Sequence, residues 1–183
     1  MNPILYLLFA HFTADYPLQP SSLVEFKKKG FLGVFIHCLI HLALMVLVLF
    51  PFLHLKSVWI GIAVIFVTHN IIDYLKISFD KKYKSCRLIC YLLDQTMHMA
   101  VIALVSLYLW RLSPERPCGF IEVYSDQSIV LYLLILVLTT FFYDITRHFI
   151  VTRKTPARYK RDYRMMLINT FIVSVAFAMY WIM

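Results

Sequence analysis

Residues 31–53 read FLGVFIHCLIHLALMVLVLFPFL. No Asp, Glu, Lys or Arg interrupts the run, and a helix rising 1.5 Å per residue needs roughly 20 apolar residues to cross a hydrocarbon layer about 30 Å thick. Within it His37 and His41 lie four residues apart, so both imidazoles leave the same helical face. A membrane-crossing helix with polar chemistry along one side is the simplest structure for such a run.

The flanking sequence repeats the pattern. Of the 183 residues, 61% are hydrophobic and 15% charged, against about 25% charged in a soluble domain, which excludes an ordinary soluble globule. Further apolar runs occupy 3–16, 58–79, 88–110, 129–151 and 165–183. The first is short, about 21 Å as a helix, and Pro17 and Pro20 discourage its continuation. The expected architecture is all-α: a polytopic transmembrane helical bundle of about six membrane segments, the first short or incomplete, forming a single domain over 1–183. Residues 18–30 read as a short interfacial segment whose Lys27, Lys28 and Lys29 reach phosphate headgroups.

Basic residues cluster in alternate connections: 27–29, 76–87 and 153–164. By the positive-inside rule these connections are cytoplasmic and both termini lie outside, as in a bacterial inner-membrane protein. The same asymmetry accounts for the net charge of +8, and no basic domain interleaved with aromatics suggests nucleic acid. The first residues lack the basic region of a cleaved signal peptide, with His11 and Asp15 standing where small residues would be expected. Cys38, Cys86, Cys90 and Cys118 form no C-x-x-C pair and read as buried small side chains.

Six of the seven histidines sit four residues from an aspartate or another histidine: His11 with Asp15, His37 with His41, His69 with Asp73, His98 with Asp94, and His148 with Asp144. Chance would supply about one. Each pair shares a helical face, and a carboxylate inside an apolar span costs several kcal/mol unless paired, hydrated or metal-bound. With the orientation above, the pairs of the second to fifth spans fall roughly 8 to 17 Å below the cytoplasmic edge, in one layer.

Mixed imidazole and carboxylate donors suit one or two divalent ions, Zn, Mn or Fe. His11, Asp15, His37, His41, His69, Asp73, Asp94 and His98 are the candidate ligands, with Asn70 and Gln95 placed to orient them. His37 and His41 read equally as core histidines, and Asp144 and His148, beside Arg147, as a helix-terminal salt bridge. Interhelical hydrogen bonding without metal, or an ion pathway, would use the same residue types. His54 stands alone near the outer face.

The runs His11-Phe12-Thr13-Ala14-Asp15-Tyr16-Pro17-Leu18-Gln19, His69-Asn70-Ile71-Ile72-Asp73-Tyr74-Leu75-Lys76 and Leu93-Asp94-Gln95-Thr96-Met97-His98, with His41 between them, resemble a family of bacterial integral-membrane proteins catalogued as a domain of unknown function. The resemblance covers about residues 8 to 100. More loosely, the chain is similar to bacterial inner-membrane proteins described as metal-dependent hydrolases. This implies metal roles for His11, Asp15, His41, His69, Asp73, Asp94 and His98, and supplies no substrate. Asp144 and His148 fall outside the matching motifs.

The leading expectation is an intramembrane hydrolase whose site opens to the cytoplasmic leaflet, with Asp94 or Asp144 relaying a proton. His148 is the other catalytic candidate of the fifth span, and Lys76, three residues beyond Asp73, could face the same pocket. Basic residues near such a site would attract a phosphorylated or lipid-linked substrate. A divalent-metal or proton transporter is the alternative, weakened by the apolar outer halves of the spans. An iron-dependent lipid oxidase is a third, without the clustered histidine boxes of membrane desaturases. H-E-x-x-H, G-x-S-x-G and Walker sequences are absent.

Overall fold

A computed structural model describes residues 3–82, 87–112, 127–152 and 159–182. Its helices are α1 (Pro3–Asp15), α2 (Ser21–Lys29), α3 (Phe31–Val48), α4 (Lys56–Lys82), α5 (Arg87–Leu112), α6 (Gln127–Val151) and α7 (Tyr163–Ile182). No strand occurs among the described residues. The protein is an all-α bundle in which α3 to α7 are long and apolar enough to cross a membrane. Helix α3 stops at Val48, before the end of the apolar run, because Pro51 has no amide hydrogen to continue it and opens the 3-10 turn Phe50–Phe52.

At 13 residues α1 is only about 20 Å long. Pro17 ends it, with Leu18 N turning back to the Thr13 carbonyl at 3.1 Å. It packs against α3, α5 and α6, and Tyr6, Leu7, Ala10, His11 and Ala14 are buried around its circumference. A helix enclosed on several sides needs no polar face.

One end of the bundle is a sealed apolar core, built from Tyr6, Leu7, Met45, Leu49, Phe52, Val58, Ile62, Ile102, Val105 and Leu109. The outward faces are also apolar, with Leu47, Ile60, Leu104, Leu107 and Trp110 exposed. In a bilayer, whose tails are as apolar as leucine, packing rather than burial from water would hold this half together.

Helix α6 contains a π turn over Leu138–Phe142. Such a turn disturbs the regular ladder of carbonyl bonds, and Asn169 of α7 donates to the Thr139 carbonyl at 2.7 Å. Tyr132 and Ser174 add a hydroxyl contact at 2.9 Å. These polar ties seat α7, none of whose described residues is buried.

Two glycines bring α2 against α3. Gly30 joins them at φ +148°, outside the range that side chains adopt readily. At Gly33 a Cβ would collide with the Phe26 carbonyl and come within 2.7 Å of Lys27 N, so the two backbones touch there. Gly61 is different, since its Cβ would meet a Val105 methyl at 2.9 Å, the movable end of a side chain. Gly33→Ala is therefore expected to lower the melting temperature in detergent more than Gly61→Ala, with an overpacking cost of about 1–3 kcal/mol. Equal or reversed losses in a thermal-shift assay would remove the backbone seat from the account.

Candidate metal centre

The i,i+4 spacing delivers two side chains per helix to one interior point: His11 and Asp15 from α1, His37 and His41 from α3, His69 and Asp73 from α4, Asp94 and His98 from α5. All are buried except Asp15, whose side chain is 10% exposed. They fall into overlapping donor groups.

The first group is Asp15, His37, His41 and His69. Asp15 Oδ1 lies 3.1 Å from His37 Nε2, 3.0 Å from His41 Nε2 and 4.0 Å from His69 Nε2. His37 Nε2 is in turn 3.1 Å from His41 Nε2 and 3.4 Å from His69 Nε2. Four ligands held tetrahedrally at 2.0–2.1 Å from one ion stand about 3.3 Å apart, and these separations scatter around that value. Hydrogen bonds alone serve the arrangement poorly, because His37 and His41 Nε2, 3.1 Å apart, cannot both carry the proton that each would donate to Asp15 Oδ1.

The second group is Asp73, Asp94 and His98. His98 Nε2 lies 3.6 Å from Asp73 Oδ1 and 3.4 Å from Asp94 Oδ1. Asp73 connects the groups, since its Oδ2 is 3.5 Å from His37 Nε2 and 3.7 Å from His69 Nε2. Cys38, fully buried, joins His69 and Asp73 in a third set of donors. Cys90 is half-buried, while Cys86 and Cys118 lie outside the described residues.

Cations and amides surround the carboxylates. Lys27 Nζ stands 2.5 Å from Asp73 Oδ2, and Lys76 Nζ 2.7 Å from Asp94 Oδ2. Gln95 donates to both Asp15 Oδ2 at 3.1 Å and Asp94 Oδ2 at 3.2 Å. Gln19 Nε2 approaches the His37 ring nitrogens at 3.0 and 3.1 Å. Asn70 instead bonds the Phe66 carbonyl of its own helix at 2.8 Å. Lys28 pairs with Glu25 on the surface at 2.8 Å.

His11 belongs to neither group of facing donors. Its Nε2 is 3.4 Å from Asp15 Oδ2, and its ring packs against those of His41, His69 and His98 at 5.1 to 5.5 Å. It forms the floor between the donors and the apolar core. His54 is at the opposite end, beside the Pro51 carbonyl at 3.1 Å.

Asp144 and His148 occupy a separate cleft of ≈ 250 Å³ with Arg147, Lys160 and Asp162. Tyr159 donates its hydroxyl to Asp144 Oδ2 at 2.5 Å, the Asp162 amide adds a contact at 3.4 Å, and Arg147 pairs with Asp162 at 3.3 Å. Arg161 returns to the Tyr16 carbonyl at 3.3 Å, and Tyr16, Tyr91 and Thr146 form a hydroxyl chain at 2.8 and 3.0 Å across α5 and α6. Among the described residues no hydrogen bond or ion pair joins Asp144 or His148 to the eight-residue cluster. Burial, and then the Asp144 carboxylate, push the Tyr159 phenol above its ordinary range, so it remains a donor at any physiological pH. Tyr159→Phe is expected to speed amide exchange at residues 159–162 while leaving α3 and α4 unchanged, as hydrogen–deuterium exchange would read; unchanged exchange at 159–162 would deny the anchoring role.

Sequence spacing found the clustered pairs but not the inward turn of Lys27, which its neighbours Lys28 and Lys29 disguise as part of a surface run. No curated protein and no solved structure shows a significant match to the chain. One family does, over residues 4–125, a segment that contains all eight clustered residues together with Lys27 and Lys76 and ends before α6. By that match the chain belongs to the family described as "Protein of unknown function (DUF3307)".

Proposed function

We propose that this protein is an intramembrane metal-dependent hydrolase acting from the cytoplasmic leaflet on a phosphorylated or lipid-linked substrate. The observation that carries the reading is the convergence of three imidazoles and one carboxylate, whose ligand atoms all lie within 4.8 Å of one another, within apolar helices. Asp15, His37, His41 and His69 would hold a divalent ion, and three nitrogens with one oxygen suit zinc. A divalent ion with one coordination place left for water supplies Lewis-acid polarisation and a water acidified toward neutral pH.

The remaining work falls to the chain's own side chains. Asp94 Oδ1, which makes no hydrogen bond, faces His98 Nε2 at 3.4 Å and is left to meet a ligand in the pocket. Lys76, 2.7 Å from Asp94 Oδ2, fixes that carboxylate and adds positive charge for a phosphate oxygen. Lys27 plays the same part at Asp73. Both lysines, together with Lys28, Lys29, Lys160 and Arg161, belong to the site end of the bundle, which the positive-inside rule assigns to the cytoplasm. A lipid-linked phosphate would approach from that leaflet with its tail in hydrocarbon.

The alternative is a carrier for divalent metal or protons. A conducting path needs polar groups on both sides of its binding site, and the apolar core from Tyr6 to Leu109 closes the other half of the bundle. That supports a one-sided pocket.

Elemental analysis of detergent-purified protein is expected to find stoichiometric metal in the wild type and little in Asp15→Asn or His41→Ala. Phosphate release from a lipid phosphate ester should disappear with the metal, and Lys76→Met should lower it about 10–100-fold while metal is retained. A folded wild type that takes up no metal after supplementation would end the proposal. Metal-dependent flux into proteoliposomes, without hydrolysis, would favour the carrier.

A further inference from the structure

Four protein donors close a tetrahedral ion, whereas catalytic metal positions keep a place for water or substrate. The Asp15, His37, His41 and His69 cage is of the closed kind. The group beside it has three donors and different chemistry.

His98 is 3% exposed, and its Nε2 makes no hydrogen bond. The same is true of Asp94 Oδ1, 3.4 Å away. Asp73 Oδ1 completes the trio at 3.6 Å from His98 Nε2. Buried polar atoms are normally paired, so two left unbonded and aimed at one point call for a ligand. The lysines reinforce the geometry: each holds the Oδ2 atom of its carboxylate, which leaves both Oδ1 atoms to His98. Asp73 also reaches the cage, its Oδ2 lying 3.5 Å from His37 Nε2 and 3.7 Å from His69 Nε2. One carboxylate thus borders both groups, which places the two positions side by side.

We infer that Asp73 Oδ1, Asp94 Oδ1 and His98 Nε2 form a second, open position for a divalent cation, set beside the cage. Two oxygens and one nitrogen are harder donors than the imidazole-rich cage, so this position takes Mn²⁺ or Mg²⁺ where the cage takes Zn²⁺. It rests on the hydrolase reading for the occupied cage, and it places the exchangeable coordination sites where Lys27 and Lys76 stand.

The test uses full-length protein in detergent, stripped with a chelator, given one equivalent of Zn²⁺ and titrated with Mn²⁺. The expected wild-type result is one retained Zn²⁺ and one Mn²⁺ per chain, the latter read by elemental analysis and by the loss of the free Mn²⁺ electron-paramagnetic signal. His98→Gln and the isosteric Asp94→Asn should keep Zn²⁺, which reports an intact fold, and lose Mn²⁺. Retention of Zn²⁺ with no Mn²⁺ uptake by the wild type overturns the second position and leaves the cage standing. So does Mn²⁺ uptake that neither substitution reduces. Failure to retain Zn²⁺ in the wild type overturns both readings.

Discussion

Three carboxylates, Asp15, Asp73 and Asp94, lie inside a bundle whose other interior surfaces are almost wholly apolar. An unpaired charge in such surroundings costs several kcal/mol, and the architecture around them answers that cost. The early end of α1 at Pro17 brings Asp15 to the middle of the molecule instead of carrying the chain across it. Backbone contact at Gly33 lets α2 lie close enough for Lys27 to reach Asp73. Lys76 and Gln95 serve Asp94 in the same way. Removing one partner of such a pair is more damaging than never having built it, because the remaining charge stays buried.

Much of this was legible in the chain. Hydropathy places the spans because a bilayer demands long charge-free helices, and a four-residue spacing puts two donors on one face without any tertiary information. The eight clustered residues follow from those two rules. Their division into groups does not, since it depends on how four helices rotate about their axes, which packing decides. His11 illustrates the difference: its spacing from Asp15 matches that of His69 from Asp73, yet it packs as a floor under the other rings.

Other features were hidden for local reasons. Lys27, Lys28 and Lys29 are equivalent by composition, and only the contact at Gly33 turns the first inward while Lys28 pairs with Glu25 on the surface. The α6 pair obeys the same spacing rule as the others, but its aspartate receives Tyr159 and the Asp162 amide from a segment close in sequence. A pair that meets a nearby loop and a pair that joins an interhelical cluster share one pattern when read in one dimension. The π turn upstream in α6 carries no composition mark, because Leu138 to Phe142 contains nothing that forbids an ordinary helix.

Charge balance narrows the chemistry further. Against three carboxylates the cluster sets two ammonium groups, and imidazoles that ligate a metal are neutral. With the imidazoles neutral, the side chains leave one negative charge in the interior, which a bound cation would offset. A single divalent ion would convert that deficit into one positive charge. Two divalent ions, as inferred above, would raise the surplus to three and so would favour an anionic ligand. On the reading proposed above, such a site would discriminate by charge before shape, so that a phosphorylated substrate would gain from it what a neutral ester would not.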